Sequence, residues 1–439
     1  MKEIIAKSVF IILDMLMIFL SISIAYHIRN YFDATLMAHT ISYETYISFY
    51  PIYIIPIVLL AYEGVYTYRY DFWHESRLIF KAIIFSAILV FAYLAMTKSI
   101  EEYSRLVIGL SFALMTFLIP LEKNISKKLL RKWGLWRKRA AIYGEDPFLT
   151  AEIYGNPYLG YVRPKADQEP ATIFVNPKGH SPQELKALLA DQIKQKHEVV
   201  FIPLMDDYDL THSHIYELFN TRTNLIVYQN RLKSRYRRIL QQSYNYVLAI
   251  VLLPVVLPIL GIFAILIKRE SEGPILFKHN RVGQNGKTIP TYKFRSMYKD
   301  AQERLEKLLA EDPEAKAEWE SSYKLKNDPR VTKIGAFLRK TSLDELPQIF
   351  NVLKGEMHFV GPRPVLQEEL DRYYKEDAEY YFMVKPGITG LWQVSGRSDT
   401  DYDFRVKTDK WYVSNWSLWL DIVILFKTVK VVLFRDGAY

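Results

Sequence analysis

The 439-residue sequence contains no cysteine. Disulfides, iron–sulfur clusters and thiolate-bound zinc are therefore excluded. Its nine histidines show neither HExxH nor any comparable ligand spacing, so no imidazole-bound zinc site is indicated either. Any bound metal is then expected to be a hard ion with oxygen ligands, such as Mg²⁺.

Two motifs that accompany nucleotide chemistry are incomplete. A dinucleotide-binding fold would carry GxGxxG after its first strand, but "YGEDPFL" supplies only Gly144. The DxD metal motif of ordinary glycosyltransferases has weak counterparts, "DYD" at 207–209 and 401–403. The formal charge of +9 still predicts an anionic partner, which could be nucleic acid, a membrane surface or a phosphorylated small molecule.

Long hydrophobic runs dominate the N-terminal third and predict a four-helix transmembrane domain over 1–138. Four stretches, 8–25, 47–62, 78–96 and 106–121, have roughly the length that a bilayer requires. The segment after the fourth is basic, with Lys123, Lys127, Lys128, Arg131, Lys132, Arg137, Lys138 and Arg139. By the positive-inside rule this segment and the N-terminus, with Lys2 and Lys7, lie in the cytoplasm, as does the rest of the chain.

A fifth apolar stretch, about 246–267, has basic residues on both sides. They are Arg231, Lys233, Arg235, Arg237 and Arg238 before it, and Lys268, Arg269, Lys278 and Arg281 after it. A single crossing would send one basic cluster to the wrong face of the membrane. Pro254 and Pro258, in its middle, each remove a helix hydrogen bond. These features favour a re-entrant helix–break–helix over the alternative, an ordinary kinked fifth span.

Residues 139–230 are interpreted as a cytoplasmic Rossmann-like α/β domain. "RAAIYG", "TIFVNP", "EVVFIPL" and "NLIVYQN" are short apolar strands, and "SPQELKALLADQIKQ" is an amphipathic helix. Their alternation predicts a small parallel sheet. Because the glycine fingerprint is absent, a scaffolding or regulatory role is favoured over dinucleotide binding.

The remaining segment, 231–439, is interpreted as an α+β catalytic domain. "GPILFKHNRVGQNGKTIPTYKFRSM" predicts two strands joined by a turn at 284–286. Lys293 and Arg295 share one face of the second strand, which suits a phosphate or pyrophosphate. The alternative is a solvated strand edge, where lysine is common.

The stretch "TSLDELPQIFNVLKGE" places two adjacent carboxylates, Asp344 and Glu345, in an apolar run. Ser342 and Glu345 fit the capping box S-x-x-E, and acids in a first helical turn complement the helix dipole. Pro347 fits poorly with Ser342 as the N-cap, because it then falls in the second turn, and better with Asp344 as the N-cap. Capping therefore explains one acid more easily than two.

Neighbouring motifs suggest a catalytic role for these acids. "FVGPRP" holds Arg363 between two prolines, and "KPGITGLWQVSGR" adds Gln393 and Arg397. Two carboxylates with rigidly presented cations suggest Mg²⁺-assisted chemistry on a phosphate ester, in which the carboxylates bind metal or attack phosphorus.

The motifs "YKFRSM", "LRKTSLDELPQIFNVLKGEM", "FVGPRP" and "KPGITGLWQVSGR", in this order after a proline-containing apolar helix, resemble those of the bacterial polyprenyl-phosphate hexose-1-phosphate transferases. The resemblance covers about 237–439. The C-terminal segments look most like the full-length undecaprenyl-phosphate galactose phosphotransferases of O-antigen and capsule assembly. The membrane would then be the bacterial inner membrane.

The resemblance implies a ping-pong reaction. Asp344 would attack the β-phosphate of a UDP-sugar and expel UMP, and undecaprenyl phosphate would then take the sugar phosphate from the carboxylate. Glu345 would bind Mg²⁺ or position the phosphate.

The resemblance also assigns supporting roles. Lys293, Arg339 and Arg363 match positions that hold phosphates, and a nucleotide- or sugar-side role is inferred for Gln393 and Arg397. The family's serine–proline helix break is here Leu257-Pro258, and Asn245 replaces an aspartate. A homodimer is also implied.

Two rival functions remain open at this stage. An ordinary membrane glycosyltransferase would transfer the sugar alone and release UDP, whereas a membrane scaffold for polysaccharide export would not require Asp344. No nucleic-acid partner is expected, because the cations cluster at membrane flanks and in the motifs. The hexose is not determined, with galactose favoured and glucose next.

Overall fold

A computed structural model describes most of the chain. The described residues are 2–33, 41–144, 146–165, 168–177, 198–202, 213–218, 223–227, 231–313, 328–395 and 401–434, with scattered positions within 181–188 and 316–325. The chain divides into two compact units, Met1–Met205 and Asp206–Tyr439.

The first unit begins with apolar helices. They are α1(Lys2–Asp33), α2(Tyr43–Ile47), α3(Pro51–Tyr62), α4(Phe72–Met96) and α5(Arg105–Lys132). Within the described residues of the whole chain, five helical segments have the length and composition to cross a membrane: 2–32, 43–62, 72–96, 105–132 and 235–270. The first four contain the four predicted stretches, and the protein is a membrane protein.

Five of the basic residues assigned to the segment after the fourth stretch lie inside α5, and two of these five are fully buried. The Lys123 Nζ lies 2.8 Å from Asp14 Oδ2, and Lys127 is paired with Glu75 on α4. A buried charge is tolerated only when it is paired. The two lysines therefore hold helices together, so they do not belong to the exposed basic segment that the sequence predicted.

The predicted parallel sheet is present in the first unit. Its strands are β1(Lys138–Tyr143), β2(Tyr161–Val162), β3(Thr172–Val175) and β4(Glu198–Phe201), in the order β2-β1-β3-β4, and all pairs are parallel. Helix α6(Pro147–Gly155) follows β1, and Asp146 caps it where a dinucleotide fold would have its glycines. Most of the helix predicted at 181–195 lies outside the described residues.

One predicted strand does not join this sheet. "NLIVYQN" (224–230) overlaps β6(Thr223–Val227), which pairs antiparallel with β5(His214–Leu218) in a separate two-stranded hairpin within the second unit. The expectation that all four strands share one parallel sheet is wrong for this one. The sequence of a short apolar strand does not specify which other strand it pairs with, so the pairing is decided by the tertiary fold.

The second unit surrounds a mixed core. Beyond the β5–β6 hairpin, its described α-helices and strands are α7(Arg235–Glu270), β7(Leu276–Val282), β8(Thr288–Phe294), α8(Ala301–Glu311), α9(Lys333–Thr341), α10(Ile349–Leu353), β9(His358–Val360), α11(Gln367–Glu369), α12(Ala378–Met383), β10(Gly387–Thr389), α13(Leu391–Ser395), α14(Tyr402–Ser414) and α15(Leu418–Phe434). β7 and β8 form the predicted antiparallel hairpin, and β9 pairs with β10 in parallel. The core is formed by apolar residues of α7, the hairpin, α9, α10, β9 and α14–α15.

Helix α7 is longer than the predicted apolar stretch and is continuous. It runs for 36 residues through both Pro254 and Pro258, so the expected interruption into two helices is not seen. A proline removes one hydrogen bond, and in an apolar helix the neighbouring turns remain bonded.

Candidate active site

The two adjacent carboxylates lie on a 3₁₀ segment, Leu343–Gln348, rather than at the start of an α-helix. Ser342 ends α9 in the left-handed conformation (φ 56°), and its side chain makes no capping bond. The predicted capping box is therefore wrong. Pro347 is accommodated inside this 3₁₀ turn, where it is buried.

The Glu345 carboxylate is held by two cations from distant parts of the chain. Its Oε1 lies 2.6 Å from Lys293 Nζ on β8 and 3.4 Å from Arg363 Nη2, in the loop after β9. All three side chains are partly exposed. Charge-assisted hydrogen bonds of this kind are the strong ones, so Glu345 is fixed in place.

The neighbouring Asp344 carboxylate is not fixed in this way. Among the described residues it makes no hydrogen bond or salt bridge. Burial raises the pKa of Asp344, and the charge of Glu345 raises it further, while Lys293, Arg339 and Arg363 oppose the rise. The side chain is therefore a more basic carboxylate than usual, free to react and surrounded by cations at longer range.

Arg339 is the third of these cations. It is positioned by the close packing of α9 against Ser296, which follows the C-terminal end of β8. Thr332 caps α9 by accepting from Gly335 N at 2.9 Å. A side chain at Gly335 would place its Cβ only 2.0 Å from the Ser296 carbonyl oxygen. One turn later, Arg339 Nε donates to Ser296 Oγ at 2.9 Å.

Arg295 is directed away from the carboxylates. Its guanidinium donates to the carbonyl oxygens of Glu272 at 2.7 Å and Ser271 at 2.6 Å, and to Ser271 Oγ at 2.9 Å. It therefore binds the carbonyls that follow the C-terminal end of α7, and its role in this structure is structural. The prediction that Lys293 and Arg295 share one strand face is therefore wrong, because β8 ends at Phe294 and Arg295 lies just beyond it.

A cleft of about 2470 Å³ in the second unit brings these residues together. Asp344, Glu345, Lys293, Arg339 and Arg363 line its polar part, with Gln393 on α13. Apolar side chains of α7 and α15 line another part, among them Leu252, Val256, Leu425, Val429 and Val432. Arg397 lies outside the described residues.

Two further residues position groups at the cleft: Arg405, which the sequence patterns did not single out, and Asn245, which was noted only as the replacement of a family aspartate. Arg405 on α14 lines the same cleft, with its guanidinium carbon 4.5 Å from the ring centre of Trp392. Asn245, fully buried on α7, accepts from Phe359 N at 2.7 Å and so joins α7 to β9, just before the loop of Arg363. No local pattern predicts either contact, because the first depends on the packing of α13 against α14 and the second on the packing of α7 against β9.

The second "DYD" has a local structural role. Asp401 is the N-cap of α14, accepting from Phe404 N at 2.8 Å, and Asp403 pairs with Lys407 one turn on at 2.7 Å. Both aspartates are exposed. The first "DYD" lies outside the described residues.

Comparison of the sequence with known proteins identifies the family. The family profile described as bacterial sugar transferase matches residues 236–435. The undecaprenyl-phosphate galactose phosphotransferase of Salmonella typhimurium is 40% identical over 404 residues, covering 85% of this chain and 84% of that protein. The chain belongs to the bacterial sugar transferase family.

Other members of the family cover different lengths of the chain. The UDP-galactose-lipid carrier transferase of Erwinia amylovora is 38% identical over 85% of this chain and 84% of its own. The UDP-glucose:undecaprenyl-phosphate glucose-1-phosphate transferase of Escherichia coli is 39% identical over 55% of this chain and 50% of its own. As a member of this enzymatic family, the protein is a transferase.

Proposed function

We propose that the protein transfers hexose-1-phosphate from a UDP-hexose to undecaprenyl phosphate and releases UMP. The observation that carries the proposal is the unequal pair at the cleft: Glu345 is bound by two cations, while Asp344 is unbound and faces the same cations. Such a pair suits attack by one carboxylate on a phosphate that the surrounding cations hold. The names of the relatives supply the substrate classes.

The proposed first step is an in-line displacement at the β-phosphorus. An Asp344 oxygen forms a bond to phosphorus, the bond to the bridging oxygen breaks, and its electron pair leaves with UMP. Lys293, Arg339 and Arg363 offset the negative charge around the reacting phosphate. In the second step an oxygen of undecaprenyl phosphate attacks the same phosphorus and releases the Asp344 carboxylate, so the enzyme is restored.

Mg²⁺ fits this site only in combination with the substrate. Among the described residues no group of three acidic, histidine or cysteine side chains could hold a metal. Mg²⁺ is commonly bound by one or two carboxylates together with substrate phosphates and water. Asp344 and Glu345 would supply these carboxylates, and the ion would offset diphosphate charge when bound.

We also propose that α7 is re-entrant and that the lipid approaches through the apolar part of the cleft. Both ends of α7 contact the same unit: Asn245 bonds to Phe359 near one end, and Arg295 binds the carbonyls after the other. A helix that crossed the bilayer would place its two ends on opposite sides of about 30 Å of hydrocarbon. The basic flanks support the same cytoplasmic side for both ends.

The absence of cysteine makes this topology directly testable. Single cysteines at Arg238 and Arg269, both exposed, are expected to react with a membrane-impermeant thiol reagent from the cytoplasmic side only. A cysteine at Lys98, between α4 and α5, is expected to react only from the opposite side. Labelling of the Arg238 and Arg269 positions from opposite sides would show that α7 is an ordinary fifth span.

The nucleotide product decides between the proposed reaction and the rival ones. Purified protein in detergent, with Mg²⁺, undecaprenyl phosphate and UDP-galactose, is expected to release UMP. Release of UDP would establish a glycosyltransferase and overturn the assignment. UDP-glucose is the next donor, because galactose and glucose appear in the names of different relatives. If neither UMP nor UDP were released with either donor, the scaffold function would be favoured.

The raised pKa of Asp344 predicts an acid limb in the first half-reaction. Attack requires the ionised carboxylate, so exchange of labelled UMP into UDP-hexose falls as pH drops through a pKa above the usual value of about 3.9. Glu345→Gln removes a charge that raises this pKa, so the limb of its residual activity moves to lower pH. An unchanged or higher limb would contradict the proposed environment.

The wider organisation follows from the same proposal. We infer a transmembrane domain at 1–138, a Rossmann-like domain whose parallel sheet lies within 138–201, and a catalytic domain at 231–439, with both chain ends in the cytoplasm of a bacterial inner membrane. The predicted bounds of 139–230 also include the β5–β6 hairpin, which belongs to the second unit. A homodimer is the expected assembly, which the mass of the purified protein–detergent complex tests.

A further inference from the structure

Arg405 is a cation of the cleft that belongs to none of the motifs used above. It lies on α14, and its guanidinium is held against two aromatic rings, 4.5 Å from the centre of Trp392 and 5.0 Å from that of Tyr402. The Tyr402 ring is itself stacked on Tyr373 at 3.8 Å. Stacking on aromatic faces orients a guanidinium and leaves its edge available to a ligand.

The other arginines that line the cleft have polar partners. Arg281 pairs with Glu369 at 3.0 Å, and Arg330 with Asp328 at 2.7 Å. Arg363 contacts Glu345, Arg339 contacts Ser296, and Arg295 binds backbone carbonyls. Within the described part of the chain, Arg405 makes no salt bridge, and its buried Nε has no hydrogen-bond partner.

Without Mg²⁺, the three cations already described do not balance the charge of the reacting groups, and the reaction moves negative charge onto the leaving phosphate. Asp344, Glu345 and the diphosphate of the donor carry four negative charges, while Lys293, Arg339 and Arg363 carry three positive ones. The first step leaves this total unchanged, because the charge that the Asp344 carboxylate loses on bonding to phosphorus appears on the phosphate of UMP, which becomes a dianion. Asp409, the acid near Arg405, is fully buried and bonded to Tyr374 at 2.7 Å. Burial raises the pKa of Asp409 to about 7, so it offsets the charge of Arg405 only partly.

We propose that Arg405, oriented by Trp392 and Tyr402, binds a substrate phosphate in the cleft. This inference rests on the proposed function for the identity of the phosphate, which belongs either to the nucleotide or to the lipid acceptor. The planar fork of an arginine suits two oxygens of one phosphate. Because the diphosphate is bound before the reacting bond breaks, Arg405 acts as a binding residue, and its removal affects affinity more than the chemical step.

Two variants separate binding from packing. Arg405→Met keeps an unbranched side chain over the rings but has no charge, and Arg405→Lys keeps the charge without the fork. Lys407→Ala is the matched control, because Lys407 lies on the same helix with a 73% exposed side chain. Labelled UMP exchange without lipid reports the nucleotide step alone, full turnover with varied undecaprenyl phosphate reports the acceptor step, and equilibrium binding of UMP needs no activity.

For a nucleotide phosphate, Arg405→Met raises the KM for UDP-hexose and the Kd for UMP by about ten- to a hundredfold, with the KM for the lipid unchanged. For the lipid phosphate, only the KM for undecaprenyl phosphate rises, by a similar factor. In either case Arg405→Lys is intermediate, and Lys407→Ala and the unfolding temperatures stay near wild type.

Two results would overturn the inference. One is unchanged KM and Kd values in Arg405→Met. The other is a parallel loss of all parameters together with a lower unfolding temperature, which would make Arg405 a packing residue only. If the wild-type enzyme released UDP, the proposed function would fail, while UMP and inorganic phosphate binding by the two variants would still decide the role of Arg405.

Discussion

Replacing Asp344 with asparagine is expected to lower UMP release by about a thousandfold or more and to raise the unfolding temperature. The loss follows because an amide cannot attack phosphorus and no other described carboxylate lies free beside the three cations. The gain follows because the folded state raises the pKa of Asp344. Ionising a carboxylate of raised pKa costs folding free energy at neutral pH, and asparagine removes that cost. UMP release and thermal unfolding in detergent measure both.

Glu345→Gln is the matched control, and its effect on stability is expected to have the opposite sign. It weakens the contacts with Lys293 at 2.6 Å and Arg363 at 3.4 Å, so its unfolding temperature falls. Substantial UMP release by Asp344→Asn would exclude Asp344 as the nucleophile. An unfolding temperature below wild type in Asp344→Asn would show that the cations stabilise this carboxylate more than burial destabilises it.

Replacing Gly335 with alanine is expected to cost about 3 kcal/mol of folding free energy. It is also expected to lower kcat/KM by more than about tenfold, because Arg339 would be displaced from the cleft. The new Cβ would lie 2.0 Å from the Ser296 carbonyl oxygen and 2.7 Å from its carbonyl carbon. These are backbone atoms, so α9 must move away from Ser296. Arg339, bonded to Ser296 one turn later, would move with it.

Gly261→Ala provides the comparison for this prediction. Apart from the neighbouring backbone of α7 itself, no atom lies within 4 Å of the Cβ position at Gly261, so alanine there is expected to be neutral or to stabilise the helix by up to about 1 kcal/mol. Thermal unfolding and UMP release are measured on both variants. Wild-type behaviour of Gly335→Ala would show that the close approach of α9 to Ser296 is not needed.

Local patterns in the sequence were sufficient for much of the fold. The four apolar stretches, three of the four parallel-sheet strands and the hairpin around 284–286 follow from periodicity, length and turn residues. The adjacent pair Asp344 and Glu345 is likewise visible in one short motif. These features are encoded within a few neighbouring residues, and that is why they can be read without a structure.

Other features depend on contacts between distant residues. Lys293, which binds Glu345, is 52 positions away from it in the sequence. Arg295, in the same motif "YKFRSM", instead binds the carbonyls after the end of α7. Ser342 adopts the left-handed conformation and leads into a 3₁₀ turn where a capping box was predicted. Lys123 and Lys127 form buried ion pairs with Asp14 and Glu75 on other helices.

Neighbouring residues were enough to predict the four N-terminal apolar helices, six of the ten described strands and the short motif that carries the acids. The tertiary structure alone decided which acid is bound and which is unbound, and that Arg405 reaches the same cleft. The reason is physical: propensity and periodicity act over a few residues, whereas the partner of a charged side chain is chosen by the packing of the whole unit.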